Sequence, residues 1–314
     1  MNVLITGAEG FVGKNLVELM KKNSTYNILA PKLVDLNLTN IEEVMNYFKK
    51  NQINAVIHSA TTLRNKTDYP ADVCEKNLKM FFNILKAASK DTKIINFGSG
   101  SEYSRANWHI KMKEEFFDTY VPMDGHSYAK YLISKFIDSS KRNNLTTFRI
   151  FGIYGRYEDY RFKFISNAIA KNIKKLPIVI NQDVVYDYLY IKDFSDILIR
   201  FIALDKFQYS SYNITPTSSI SIVKVAEIIN DISETKSDIV VLNSGKGVDY
   251  SGDNTRLLKE LGDYNFPSYQ EGIQDLYNYY KKNEKLIDKN ELKSDEYLSY
   301  AQSLKTNYFD KNVK

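Results

Sequence analysis

Three glycines at three-residue spacing, Gly7, Gly10 and Gly13, stand directly behind a short apolar run, Val3-Leu4-Ile5. The run reads as a buried strand, and the residues from Lys14 to Lys22 carry helical periodicity through Leu16, Val17, Leu19 and Met20. A strand, a glycine turn and a helix start in that order can fold as a cradle for a pyrophosphate. Gly7 permits the tight turn, Gly10 lets the backbone approach phosphate, and Gly13 lets helix and strand pack closely. The helix start adds free N–H groups and a positive dipole end. The spacing G-x-x-G-x-x-G is one residue longer than the usual dinucleotide fingerprint, and its place between strand and helix gives it meaning.

A chain of 314 residues has room for one large α/β domain and a smaller lobe, and 43% hydrophobic residues suffice for an ordinary core. One cysteine, Cys74, excludes a disulfide framework and a multi-cysteine zinc site, and fits a reducing cytoplasm. We expect no metal centre. No apolar run reaches the length of a membrane span, and with a strand at residue 3 we expect no leader and no membrane association. The net charge of +5 is dispersed rather than gathered into a basic stripe, which argues against nucleic acid as a partner.

A second strand is expected at residues 26–30. The acidic residue that would hold a ribose 2′-hydroxyl is missing at its end, where Ala30, Pro31 and Lys32 stand. Lys32 suits a 2′-phosphate and favours NADP over NAD, while Asp35 and Leu36 would approach the adenine. Thr39-Asn40 looks like a cap for a helix over 41–50. Residues 55–60 form the next buried strand, ending in small residues such as Ala60 that let a cofactor cross the sheet edge. His58, within that apolar strand, reads as a packed histidine. A long helix over 72–89 and a strand over 93–98 follow, with Ser99-Gly-Ser-Glu-Tyr103 at the strand's carboxyl end.

On these residues the chain resembles the extended short-chain dehydrogenase/reductase family, the NAD(P)-dependent epimerases, dehydratases and reductases of nucleotide sugars. Asp68-Tyr-Pro-Ala-Asp72 and Asn77 are most similar to 4-keto sugar reductases of the GDP-fucose synthase type. The resemblance spans roughly residues 1–280. It implies a doubly wound parallel (Rossmann) α/β sheet with a smaller C-terminal substrate lobe. Residues 1–155, rejoined by 181–205, would bind the dinucleotide. Residues 156–180 and 206–283 would hold the nucleotide sugar, and 284–314 would be a charged extension, partly helical or disordered. The coenzyme contacts implied are Gly7, Gly10, Phe11, Val12, Gly13, Lys32, Asp35, Leu36, Ala60, Thr61, Asn77, Lys130 and Ile150.

The family's catalytic set is a Ser or Thr with Tyr-x-x-x-Lys, and Ser99 takes the first place. Two registers are open for the second. Tyr131-Leu-Ile-Ser-Lys135 matches the letters, whereas His126-Ser-Tyr-Ala-Lys130 matches the surroundings with His in place of Tyr. Both have i,i+4 spacing and so share a helix face. The helix should begin near residue 126, and a five-residue shift moves the pair about 7.5 Å down its axis, away from the sheet edge. Depth favours His126 and Lys130.

Gly100-Ser101 replaces the Asp-Glu of the dehydratases, and Ser101 stands where fucose synthases carry Cys. Dehydration and double epimerisation are therefore disfavoured. For the substrate, the resemblance implies Ser101, Gly152, Asn167, Tyr186 (in place of a phosphate-binding Arg) and Arg256 as a compensating cation. The expected activity is NAD(P)H-dependent reduction of a nucleotide-linked 4-keto sugar for a surface polysaccharide. A 4-epimerase with tightly held NAD and a catalytically weakened binding member are the alternatives. Apolar faces on the helices at 72–89 and 126–142 suit a homodimer.

Overall fold

The computed structural model describes residues 1–22, 25–64, 68–262 and 264–308. Five strands alternate with helices through its first half. β1 (Asn2–Thr6), β2 (Asn27–Leu29), β3 (Ala55–His58), β4 (Lys93–Ser99) and β5 (Leu145–Ile150) are separated in turn by α1 (Phe11–Met20), α2 (Ile41–Lys50), α3 (Val73–Ala87) and α4 (Gly125–Ser140). β1, β3 and β4 are almost continuously buried, as strands covered on both faces must be. Asn40 caps α2 as expected, its side chain accepting from the amides of Glu42 and Glu43. Asp124 caps α4 through the Ser127 amide at 2.8 Å, which fixes the start of that helix at Gly125.

The smaller elements follow. β6 (Gly152–Tyr154) pairs with β9 (Tyr188–Tyr190), and β7 (Ile178–Asp183) with β12 (Ile239–Lys246), both in parallel. β8 (Val185–Tyr186) pairs antiparallel with β11 (Ile220–Ser221). α5 (Phe164–Ile173), α7 (Ile222–Ile232) and α9 (Tyr269–Lys282) pack together behind these ribbons. α6 (Ile191–Ala203) lies against α1, and β10 (Ser211–Ile214) pairs with β5. α8 (Thr255–Leu261), α10 (Lys289–Ser294) and α11 (Glu296–Tyr308) complete the chain.

The main sheet is parallel throughout, in the order β2-β1-β3-β4-β5-β10. Alternate residues of β1 separate its two faces. Val3 and Ile5 join Leu16, Met20 and the α6 residues Phe194, Ile197 and Phe201, while Leu4 joins Val44, Phe81, Ile84, Ile133 and Ile137 from α2, α3 and α4. The fold is the doubly wound α/β sheet expected. The strand β10 joins the main sheet through β5, beyond the 181–205 segment expected to return to it, and residues 181–190 carry strands of the small ribbons. The extension after 283 is largely helical, with Ile287 and Leu292 buried in the core; residues 309–314 lie outside those described. No helix among the described residues is long and apolar enough to cross a membrane.

Strand order reverses between β1 and β3. β1 leads to β2 on one side and the chain then returns to β3 on the other, which opens a crevice at the carboxyl edge of the sheet.

Candidate active site

The glycine loop sits at that crevice. Gly7 has φ +66°, and the Gly10 amide donates to the Gly7 carbonyl at 3.1 Å to close the turn. A Cβ on Gly13 would stand 2.2 Å from the Gly7 oxygen, so the first turn of α1 lies directly on the loop. Gly10 is the N-cap and makes no side-chain cap, which leaves the first α1 amides, around Phe11, Val12 and Gly13, without a side-chain acceptor. Across the crevice, the amides of Ser59 and Ala60 donate to Thr6 Oγ1 at 3.2 Å each, and Thr6 Oγ1 pairs with His58 Nδ1 at 3.0 Å. His58 is packed in the sheet; burial, then the charge of Lys130, lower its pKa to about 3, so it is neutral.

At the end of β2, Lys32 and Asp35 are exposed and form a turn, Asp35 Oδ2 accepting from the Lys32 amide at 3.2 Å. The Leu36 side chain is buried in the core with residues of α2 and α3, whereas Leu33 and Val34 stand exposed. An acid is present at this edge after all. Glu9, within the glycine loop, accepts from the Leu33 amide at 3.2 Å. Spacing along β2 could not find it, because it arrives from the preceding turn.

Beyond β3, Asn77 on α3 holds the loop at Ala60 and Thr61. Its Oδ1 accepts from the Thr62 amide at 2.8 Å and lies 3.5 Å from Thr61 Oγ1, while its buried Nδ2 has no partner. Among the described residues five buried side-chain polar atoms lack a partner. Three of these, Asn77 Nδ2, Trp108 Nε1 and His126 Nδ1, belong to residues at this crevice or its neighbouring cavity. Unpaired buried polar atoms are costly in a folded chain, and a bound ligand or water can complete them.

At the end of β4, Ser99 stands beside Ile150 of β5 in register. Its Oγ accepts from the Ser101 amide at 3.1 Å and from Ser101 Oγ at 3.0 Å, and Ser127 Oγ on α4 donates to Ser101 Oγ at 2.9 Å. The turn is anchored from below. Glu102 Oε1 accepts from the Ser99 amide at 2.9 Å, and Oε2 meets Arg149 Nε at 2.8 Å in a wholly buried ion pair.

The two candidate registers separate in space. Lys130 Nζ donates to the Phe97 carbonyl of β4 at 2.5 Å, one residue face from Ser127. His126, in the first turn of α4, stacks on Tyr69 with ring centroids 4.2 Å apart and planes within 4°. Tyr131 instead donates to Asp118, and the exposed Lys135 pairs with the same carboxylate at 2.9 Å. That second pair ties a surface loop to α4. Burial, then the Lys130 charge, lower the pKa of His126 to about 3, so its imidazole is neutral. Burial also lowers the pKa of Lys130, while the nearby Glu102 carboxylate opposes the shift.

Next to this edge lies a solvent-open cavity of about 140 Å³ with Tyr186 in its lining, together with Arg105, Trp108, Tyr250 and Tyr297. Trp108 and Tyr250 stack at 4.5 Å, and the Arg105 guanidinium lies 4.9 Å from the Tyr250 ring. Ser104, at φ 65°, turns the chain that carries Arg105. Gly152 lies where β6 meets β9, and a Cβ there would come within 2.8 Å of the Tyr188 ring. Two expected substrate residues stand elsewhere. Arg256 pairs with Glu115 at 2.8 Å at the start of α8 and does not line the cavity. Asn167 is buried, with its amide donating to the Tyr160 carbonyl at 2.9 Å. Arg105 is the cation found at the cavity, and no spacing pattern in the sequence marks it.

The model of the NAD dependent epimerase/dehydratase family matches residues 3–215, the span that contains the glycine loop, Ser99 and α4. The chain belongs to that family. It is an NAD(P)-dependent enzyme, and the glycine loop, the uncapped start of α1 and Asn77 Nδ2 fit a dinucleotide's phosphates and polar groups. It is 22% identical over 289 residues to a GDP-6-deoxy-D-talose 4-dehydrogenase of Aggregatibacter actinomycetemcomitans, covering 88% of this chain and 97% of that one. To a GDP-L-fucose synthase of Azorhizobium caulinodans it is 25% identical over 300 residues, covering 88% and 96%. A solved GDP-mannoheptose C4 reductase from Campylobacter jejuni, with NADP bound, superposes with a TM-score of 0.75 at 19% identity, covering 89% and 98%.

Proposed function

We propose that the protein reduces a nucleotide-linked 4-keto sugar with NAD(P)H, with GDP-linked deoxysugars as the first candidates. The observation that carries this reading is the convergence of Ser99, His126 and Lys130 on the carboxyl edge of β4, beside the glycine loop. GDP as the handle follows the names of the two relatives above. The bound coenzyme would supply hydride at the sugar carbon.

The chain's own groups do the rest. Ser99 Oγ, held by Ser101 and by the Glu102-anchored turn, donates to the sugar oxygen. His126 presents its imidazole in the place of the family's tyrosine, and Lys130 holds the coenzyme ribose while carrying the positive charge of the pair. Arg105 and the stacked rings of Trp108 and Tyr250 receive the nucleotide end. A supply role for a surface polysaccharide, a cytoplasmic setting and a homodimer through α3 and α4, which leave Phe82 and Tyr128 exposed, belong to the same proposal.

The test is a screen of CDP-, GDP-, UDP- and dTDP-4-keto sugars, following the absorbance of NADPH and NADH. Loss of absorbance with a GDP-4-keto sugar is expected, and no turnover with any of the four sinks the reductase. One observation favours a second reading. His126 is held neutral, so its imidazole has no cationic proton to give a sugar oxygen, and the oxidising half-reaction of a 4-epimerase, which takes a proton from the sugar hydroxyl, makes no such demand. Oxidised coenzyme retained through purification, with no requirement for added cofactor, would select the epimerase.

A further inference from the structure

The segment after α9 is docked onto the lobe by specific contacts. Tyr160 OH donates to Glu291 at 2.7 Å and accepts from the Asp288 amide at 3.1 Å, and Leu292 is buried beneath α10. The turn between α10 and α11 is formed by Asp295, at φ 46°, whose carboxylate meets the buried Lys171 of α5 at 2.6 Å and accepts from the Leu298 amide at 3.3 Å. That ion pair aims α11 back across the lobe. Its Tyr297 packs on Phe164 at 5.4 Å, and Tyr297 and Ala301 both line the cavity that holds Arg105 and Trp108.

One turn further, Tyr300 faces the loop after β3. The Arg64 guanidinium lies 4.4 Å from the Tyr300 ring and 5.6 Å from the Tyr69 ring. Tyr69 in turn stacks on His126. A continuous set of ring and cation contacts therefore runs from the C-terminal helix to the imidazole at the sheet edge.

We propose that α11 completes the substrate site. Tyr297 and Ala301 form one wall of the nucleotide pocket, and Tyr300 acts through Arg64 as a positioning residue that keeps Tyr69 on the His126 ring. The proposal rests on the nucleotide-sugar reading for its ligand, while its second half concerns only the protein. An aromatic ring beside the pocket excludes water and offers a face to a base, and a guanidinium between two tyrosines restricts both rings.

The experiment compares the full chain with a chain ending at Ser294, with Tyr300→Ala and with Arg64→Ala. GDP is titrated by the fluorescence of Trp108, the sole tryptophan, and NADPH by calorimetry. The His126 imidazole resonance, assigned with His126→Asn, reports the stack through its ring-current shift. We expect NADPH affinity to be unchanged in all variants, because the glycine loop does not touch α11. GDP binding should weaken by roughly tenfold in the shortened chain, the scale of one lost aromatic contact to a base. The His126 resonance should move in all three variants.

Unchanged or tighter GDP binding in the shortened chain overturns the wall, and an unmoved His126 resonance in Tyr300→Ala and Arg64→Ala overturns the clamp. Should the shortened chain lose NADPH binding and structure together, Tyr297→Ala replaces it for the GDP titration. Failure of the full chain to bind GDP counts against the nucleotide reading, and the resonance still decides the clamp.

Discussion

Alanine at Gly10 and at Gly13 should fail in different ways, and the difference separates a phosphate cradle from a tight turn. A Cβ on Gly13 would lie 2.2 Å from the Gly7 oxygen, 2.8 Å from the Gly7 carbon and 2.9 Å from Ala8 Cα. All three are backbone atoms, so no rotamer relieves the clash and loop and helix must part by about an ångström. Overpacking of that kind costs roughly 1–3 kcal/mol. It overrides the ~1 kcal/mol that alanine gains over glycine inside a helix. Gly10 is otherwise placed. Its φ of −78° suits alanine, and the only backbone atom near its added methyl is the Gly7 oxygen at 3.4 Å, an ordinary contact.

Gly10→Ala should therefore unfold in urea within ~1 kcal/mol of the parent, the loss typical of alanine at an N-cap. The methyl would project into the path by which phosphate reaches the α1 amides. Each hydrogen bond lost to a charged phosphate is worth roughly 1.5–3 kcal/mol, a tenfold to hundredfold weakening. Calorimetric titration with NADPH and NADH reads this directly. Gly10→Ala should bind both poorly at near-parental stability, and Gly13→Ala should lose stability as well as binding. If Gly10→Ala bound either coenzyme like the parent, the loop would be a turn and nothing more.

Lys130→Met should abolish turnover and weaken coenzyme binding, while Lys135→Met, on the exposed Asp118 pair, should leave both within twofold or so of the parent (a surface ion pair contributes about 0–1 kcal/mol). Arg105→Ala should weaken GDP binding about tenfold or more by removing a charged partner, and Arg256→Ala, which frees Glu114 and Glu115 away from the cavity, should not change it. Glu158 is buried against Ser166, and burial raises its pKa to about 7, with Lys163 and the Ser166 hydroxyl opposing. The folded state thus holds a proton there that the unfolded chain releases near pH 4.5. Its contribution is complete below that pH and is lost as pH rises to about 7, at most ~3 kcal/mol. Urea unfolding from pH 4.5 to 8 should show Glu158→Gln gaining stability relative to the parent as pH rises, and parallel curves would refute the assignment.

What could be read from the chain alone was local. Strand, glycine turn and helix start follow from side-chain period and from backbone freedom at Gly7, and both act within a few residues. Depth along α4 placed His126 and Lys130 at the sheet edge and Tyr131 and Lys135 below it, because a helix converts residue count into distance. The placements that no local pattern announced involve partners far apart in sequence. Arg256 looked like a cation awaiting phosphate, but Glu115 already holds it. Asn167 looked like a ligand to the sugar, but the Tyr160 carbonyl takes its amide. Leu36, expected near the adenine, has its side chain in the core with residues of α2 and α3. Glu9 and Arg105 reach their places through turns whose shape no period announces. The strand β10 escaped notice for the same reason, since Ser211–Ile214 is four residues long and gains its place only by pairing with β5.

The histidine at 126 changes the proton inventory of the site. Burial and the charge of Lys130 act on it in the same direction, so near neutral pH the imidazole is uncharged and any positive charge of the His126–Lys130 pair sits on Lys130. Reduction needs a proton at the sugar oxygen, and a neutral imidazole gives one only if another arrives at its second nitrogen. Nδ1 of His126 is buried without a partner, and Lys130 lies one turn along the same helix face. The lowered pKa of Lys130 then becomes part of the chemistry, because an ammonium that has lost part of its hydration surrenders a proton more readily. Oxidation runs the same path backward: the sugar hydroxyl gives its proton to His126 and the imidazole passes its own to Lys130, so oxidation starts from a neutral Lys130 amine and reduction from the ammonium. The balance between the two directions is accordingly set by how far burial lowers Lys130, and Glu102, the carboxylate that opposes that shift, is the residue through which the fold controls it.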